Sequence, residues 1–296
     1  MACIVRGVVS HELGLWQTTV IGGIALVISA VALLLATWEQ GHIVSELGSW
    51  PAPFGIVLVS DLLAAIMVLL SAVTGAATAF YSLATISIAH RKAGYFPLMH
   101  LLLAGVNGAF LTGDIFNLYV WFEVMLVASF SLLILGGERA QMEGAIKYVT
   151  LNLLSSALFL SAVGLLYGLV GTLNMADIAV KLKEVDSGMT TVIAMLFMVA
   201  FGIKAAAFPF FFWLPASYHT PQVAVSALFA GLLTKVGVYA IIRAHTLLFP
   251  DGSLDKVLMV CGLLTMLVGI FGSLAQTDIK RLLAYSTIAH AGYIMI

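Results

Sequence analysis

Apolar residues in this chain come in long unbroken runs rather than at the periodic spacing of a half-buried helix or strand. The runs cover about 17–37, 57–80, 96–112, 115–135, 146–171, 190–213, 223–247 and 257–276, most of them close to the ~20 residues a helix needs to cross a bilayer. Eight complete transmembrane helices are predicted. A ninth run opens after Arg281 and reaches Ile296 without a polar stop. At roughly 15 residues it is too short to span, so the chain is read as a fragment of a longer natural protein. No positive n-region, short apolar core and small-residue cleavage site opens the sequence, and the first run is therefore expected to be a retained helix.

Composition narrows the class further. With 62% hydrophobic residues, 9% charged residues and a mean hydropathy of +1.10 over 296 residues, there is too little polar surface to coat a soluble globule. The bilayer is the expected partner. A net charge of −1 argues against nucleic acid and against a polybasic lipid anchor. Cys3 and Cys261 carry no metal spacing and read as packing residues or a free thiol. Across alternate connections, one side holds Arg6, Arg91, Lys92, Arg139, Lys147, Lys280 and Arg281, the other Lys181, Lys183, Arg243 and Lys256. That bias predicts a cytoplasmic N-terminus.

Against this background three ionisable residues stand alone inside apolar runs: Glu123, Lys204 and Lys235. A charge near the bilayer centre costs about 2.5–3.5 kcal/mol even on lenient insertion scales, so such residues point to a polar interior route. An ion-conducting membrane protein is indicated. Glu123 lies about 12–14 Å into its helix and Lys235 about 18 Å into its own, both near mid-depth. Burial raises a carboxylate's pKa and a neighbouring cation lowers it, so a balanced Glu123 suits proton uptake and release near neutrality. The plainer reading is a static ion pair or a neutral, hydrogen-bonded acid.

Lys204 precedes Pro209 by five residues, and a proline cannot donate the bond a continuous helix requires there. With Pro215 and Pro221 following, residues 209–221 are expected to form a break, tolerated at membrane depth only against protein or a water-filled cavity. A simple kink with a snorkelling lysine is the alternative. His219 sits in this stretch and is placed as a bridge between Lys204 and Lys235, with a loop cap as the competing role. His245 and His290 are weaker relay candidates, and His90 and His100 read as interfacial. Asp61 is expected near a helix start, favoured by the dipole. Glu143 and Lys147 form an i,i+4 surface pair. No metal-ligand set, cofactor-binding motif or catalytic triad is identified.

The segments Asp114-Ile-Phe-Asn-Leu-Tyr-Val-Trp-Phe-Glu-Val-Met-Leu-Val-Ala-Ser-Phe, Lys204-Ala-Ala-Ala-Phe-Pro-Phe-Phe-Phe-Trp-Leu-Pro-Ala-Ser-Tyr-His-Thr-Pro and Thr277-Asp-Ile-Lys-Arg-Leu-Leu-Ala-Tyr-Ser-Thr-Ile-Ala-His resemble the antiporter-like subunits shared by Mrp cation/proton antiporters and respiratory complex I. The wording around Glu123 looks nearest to the D-subunit branch of the Mrp type. The resemblance covers nearly the whole chain. It implies an all-α polytopic bundle with inverted five-helix repeats, each holding one broken helix. On that basis residues 1–95 are two N-terminal spans, 96–247 the first repeat with the ion path, and 248–296 the start of a second repeat. It also implies that Glu123 and Lys204 handle protons as a pair, that Lys235 connects onward, and that His219 and His245 join the relay beside the break at Pro209.

Two departures are expected from the resemblance: the first ten residues do not make the additional initial helix, and most of the second repeat is missing. The function so implied is a subunit of a multisubunit Na+/H+ antiporter, with K+ or Li+ as other cations, in a prokaryotic plasma membrane. Other antiporter subunits, lipid, protons and the cation are the implied partners. The alternative is a proton-pumping subunit of complex I or a membrane-bound hydrogenase, with redox chemistry on partner subunits. An intramembrane enzyme is disfavoured: no G-x-S-x-G or H-E-x-x-H occurs, and Leu111 replaces the glycine that a Gly-x-Gly-Asp protease motif needs. A purely structural scaffold would leave three mid-depth charges without a use.

Overall fold

The long apolar runs become helices, and polar capping residues set where many of them begin. The computed structural model describes the backbone of residues 2–250, 252 and 254–296, and their side chains except those of residues 2–16 and Ser187. The Arg6 and Cys3 side chains therefore lie outside the described residues.

The first run lies in α1 (Ala2–Gln40), whose apolar membrane-length part is Gln17–Gln40. The helix thus starts well before the predicted span. A short antiparallel hairpin follows, β1 (His42–Glu46) with β2 (Val57–Asp61), His42 opposite Asp61. This adds a small hairpin to the all-α bundle and corrects the start of the second run. Residues 57–59 are β-branched or apolar and pair as a strand, and the helix waits until Asp61 accepts from the Ala64 N–H at 2.9 Å, an N-cap. From there run α2 (Leu62–Thr85), α3 (Ile88–Lys92) and α4 (Tyr95–Leu111). Asp114 caps α5 (Ile115–Ile134) through the Asn117 N–H at 2.7 Å.

Glu138 and Gln141 form a capping box that opens α6 (Arg139–Val170) earlier than the apolar pattern suggests. The first turns of α6 then carry the Glu143–Lys147 pair at 2.7 Å. α7 (Met175–Lys181), α8 (Ser187–Ala205) and the short α9 (Trp213–Ser217) precede a span, Val223–Leu248, made of α10 (Val223–Leu228) and α11 (Thr234–Arg243). Its two α-segments are joined by a π-helical turn at Phe229–Leu233, and a second π turn closes it at Ala244–Leu248. α12 (Asp255–Leu274) and α13 (Ile279–Met295) pack on one another as a hairpin.

Among the described residues seven helices are long and apolar enough to cross a membrane, and α4 is a shorter apolar helix of 17 residues. The chain is a multi-pass membrane protein. Consecutive partners pack in series: α1 on α2, α2 on α4, α4 on α5, α5 on α6, α6 on α8 and α8 on α11. In the core Phe159 meets Phe122, Phe197 and Phe201 edge-on, with Phe159 and Phe201 centroids 4.8 Å apart. Such pairs are worth about 0.5–1.5 kcal/mol each beyond their area, useful in a solvent where apolar burial gives little drive.

The expected break is present but starts earlier than Pro209. α8 stops at Ala205, and Ala206 takes a left-handed conformation, φ 56° and ψ 39°. The N–H groups of Ala206 and Ala207 turn back to the carbonyls of Ile203 and Gly202 at 3.1 and 2.9 Å, closing the helix end. Trp213 Nε1 donates to the Ile203 carbonyl at 3.0 Å, and the Phe208 N–H donates to Thr265 Oγ1 of α12 at 2.8 Å. Backbone groups released by the break are thereby satisfied inside the protein, as a low-dielectric surrounding demands.

Candidate functional site

Glu123 and Lys204 are brought together by three helices. Glu123 projects from α5; Ser156 of α6 donates a short hydrogen bond to Glu123 Oε1. Lys204, in the last turn of α8, donates to Ser156 Oγ at 3.3 Å and reaches the Asn152 carbonyl at 3.5 Å. Its ammonium also lies 5.4 Å from the centroid of the Phe122 ring. The lysine is 4% exposed, so these contacts replace its water. Two features favour a cation at this point: the negative end of the α8 dipole and the face of an aromatic ring.

The acid and the lysine are therefore joined through a hydroxyl rather than in direct contact. Ser156 can accept from the ammonium while donating to the carboxylate, which its one proton and two lone pairs permit. Ser156 and Asn152 were not singled out by sequence reasoning. A signal existed, since Asn152, Ser155 and Ser156 make a polar stripe inside an otherwise apolar run; Ser155 uses it to bind the Ala200 carbonyl of α8 at 2.7 Å.

Lys235 lies one helix further on. Its ammonium donates to the Ala230 carbonyl at 2.8 Å and contacts Thr234 Oγ1 at 3.3 Å. That carbonyl belongs to the π turn at Phe229–Leu233 just before the lysine, a wider winding that often marks functional positions. Gly237 then lets α11 touch the end of α8. A Cβ there would lie 2.5 Å from the Ala205 nitrogen and 2.7 Å from the Lys204 carbonyl carbon. The helices bearing Lys204 and Lys235 thus meet backbone to backbone.

The histidines are arranged otherwise. His219 Nδ1 bonds the Pro215 carbonyl at 2.8 Å and its Nε2 meets Arg281 at 3.2 Å; no described contact joins it to Lys204 or Lys235. The expected bridge is not formed, because the turn after α9 directs the ring toward α13. His219 instead lines a cavity of about 450 Å³ with Glu143, Lys147, Thr220, Arg281 and Tyr285. Burial holds its imidazole below the ordinary value, Arg281 adds to this, and the Pro215 carbonyl opposes it. His245 sits in the second π turn beside the Phe249 ring, centroids 6.4 Å apart, about 15 Å along the helix from Lys235. Pro209 is exposed in the break. His90 bonds Ser87 at 2.6 Å and Gln222 at 3.2 Å.

A polytopic bundle with a broken helix, an acid–hydroxyl–lysine chain between three of its helices and a second lysine on the adjoining helix defines a multi-pass membrane protein with ionisable groups in its interior. Residues 112–296 match the family model described as NADH:quinone oxidoreductase/Mrp antiporter, TM, and the chain belongs to that family. It is 47% identical over 283 residues, 94% of its length, to the D-type subunit of the Na(+)/H(+) antiporter of Alkalihalophilus pseudofirmus. The chain spans 57% of that relative's length. Among solved structures it resembles a chain of the Mrp complex from Dietzia sp. DQ12-45-1b, at TM-score 0.88 and 30% identity, covering 99% of this chain and 55% of the other. It also resembles a chain of the membrane-bound sulfane sulfur reductase, an archaeal respiratory membrane complex, at TM-score 0.90 and 30% identity, covering 95% and 58%.

Proposed function

We propose that this chain carries the proton route of a multisubunit monovalent cation/proton antiporter, exchanging cytoplasmic Na+ for external H+ in a prokaryotic plasma membrane. The observation that carries the reading is the hydrogen-bonded chain Glu123–Ser156–Lys204, with the serine and the lysine buried and the acid half-buried. Transfer of one proton from the Lys204 ammonium to Ser156, with the serine proton passing to Glu123, leaves a neutral amine, the hydroxyl restored and a neutral acid. Both charges disappear together, which is the inexpensive way to move a proton where isolated charges are costly. Reloading Lys204 then restores the pair, and Lys235, on the helix that touches the Lys204 backbone, is the onward station. His219 and His245 lie at the two ends of this route rather than within it. In this reading residues 96–247 are the first five-helix repeat, 1–95 the preceding spans and 248–296 the start of the next repeat, with the N-terminus cytoplasmic.

The test uses everted vesicles from an antiporter-deficient host expressing the full-length gene with its companion subunits. NaCl should collapse a respiration-driven pH gradient in wild type and fail to do so in Glu123→Gln at equal complex content. Full exchange in the variant would exclude the assignment. A second reading, a proton-pumping subunit of a respiratory complex, is favoured by the likeness to the sulfane sulfur reductase chain. Proton uptake driven by a redox donor and insensitive to Na+, K+ and Li+ would select it.

A further inference from the structure

Lys235, Tyr239 and Arg243 lie four residues apart on α11, one stripe rising about 6 Å per step toward the end of the molecule that carries the hairpin. Tyr239 is 5% exposed; its hydroxyl donates to the Phe110 carbonyl at 2.7 Å and accepts from Arg243 Nε at 2.9 Å. The Arg243 guanidinium lies over the Tyr239 ring, 5.1 Å from its centroid, and a second nitrogen, Nη2, makes a short ion pair with Asp61. Asp61 is itself pinned as the cap of α2.

The stripe ends at a cavity of about 420 Å³ under the hairpin, lined by Asp61, Thr112, Asn174, Tyr239 and Arg243 among others. The Asp61 and Arg243 side chains keep 33% and 21% of their exposure, whereas Val236, Val238 and Ala240 behind them are buried. The ion pair is thus the boundary between a cavity wide enough for water and the interior leading to Lys235. Lys235 has neutral oxygens as its described partners and no carboxylate within ion-pair range among the described residues. A fixed guanidinium at the mouth of a polar passage repels protons and other cations. Burial raises the Asp61 carboxyl, but its bonds from Arg243 and the Ala64 N–H and the Arg243 charge outweigh this and hold it below the ordinary carboxylate range. The pair is charged at neutral pH.

We infer that the Asp61–Arg243 ion pair, seated on Tyr239, is the barrier that keeps the Lys235 station closed to the hairpin side. This rests on the proton-route reading, and it makes Arg243 a gating residue that never accepts the transported proton. It predicts that opening the barrier uncouples the protein: protons leak without any exchanged cation.

The experiment reconstitutes the whole complex in liposomes and follows the decay of an imposed pH difference in choline chloride, free of Na+, K+ and Li+. Arg243→Gln, which removes charge and tether, should make the decay several-fold faster than wild type. Arg243→Lys, which keeps the charge, should restore most of the tightness, a rescue that a merely structural role would not show. Should Arg243→Gln fail to assemble, Asp61→Asn decides, since asparagine preserves the α2 cap but loses the ion pair that holds the Arg243 guanidinium fixed across the mouth. A leak in Asp61→Asn supports the inference. Wild-type tightness in an assembled Arg243→Gln, or in Asp61→Asn where that variant decides, overturns it. Cation-dependent exchange is read separately in the same liposomes, so loss of exchange in wild type would refute the antiporter reading without touching the leak comparison.

Discussion

At the scale of single residues, the site depends on groups that charge alone does not reveal. Glu123 and Lys204 are conspicuous in any apolar run, but the connection between them is a serine. Ser156→Ala should leave both charges in place and still slow exchange about tenfold or more, the loss expected when a positioned proton donor is removed. Exchange at the wild-type rate in Na+-loaded vesicles would show that the acid and the lysine communicate without it. His219 allows a prediction with a definite sign. Its folded-state value lies below that of a free imidazole, mainly through burial, so the folded protein favours the neutral ring. The stability it contributes is present above the unfolded value of about 6.5 and is lost as pH falls through the folded value. Melting temperatures of the purified complex should drop on acidification below about pH 6.5, and less steeply in His219→Gln; parallel curves would count against the assignment.

At the scale of elements, the decisive feature is the junction of α8 and α11. At Gly237 the two helices touch so closely that a side chain would collide with backbone rather than with a movable group. Gly237→Leu should displace α11 from α8, destabilise the protein by about 1–3 kcal/mol as overpacking does, and separate the Lys204 and Lys235 helices. Thermal unfolding in detergent reads the first effect and vesicle exchange the second. An unchanged melting temperature would mean that the helices are not in the contact described. The break shows how far local pattern carries: three prolines mark the irregular stretch, yet the helix ends at Ala205, and of the partners of the freed groups Trp213 belongs to the break itself while Thr265 comes from α12.

For the molecule as a whole, the break is also clasped from outside the span it interrupts. Thr265 holds one end, and Lys280 bonds the Pro221 carbonyl at 2.9 Å while Arg281 meets His219 at the other. The α12–α13 hairpin is thus attached to both ends of the broken segment. The two ends of the bundle also differ in kind: the hairpin end is sealed by the Asp61–Arg243 pair, and the opposite end carries the cavity lined by His219, Glu143 and Lys147. The charge bias predicts that the second is cytoplasmic. In a background with Cys3→Ser and Cys261→Ser, a membrane-impermeant maleimide should label Glu143→Cys only in everted vesicles and Trp50→Cys only in right-side-out ones. The reverse pattern would invert the topology.

The membrane class, the run of apolar helices and the three charged residues set inside them were legible in the sequence, because a helix crossing lipid must be long and apolar and each exception to that rule is visible by itself. The dipole argument placed Asp61 near a helix start, and it is the N-cap of α2. What tertiary structure alone decided is which polar groups meet. Ser156 lies 33 residues from Glu123 and 48 from Lys204, and Asp61 lies 182 from Arg243, separations that no local pattern encodes. The strand at Val57–Asp61 and the turning of His219 toward Arg281 are likewise settled by hydrogen-bond partners on other elements. In a bilayer every polar group must find its partner within the protein, so the sequence announces which groups need one and the packing of the helices determines which one each receives.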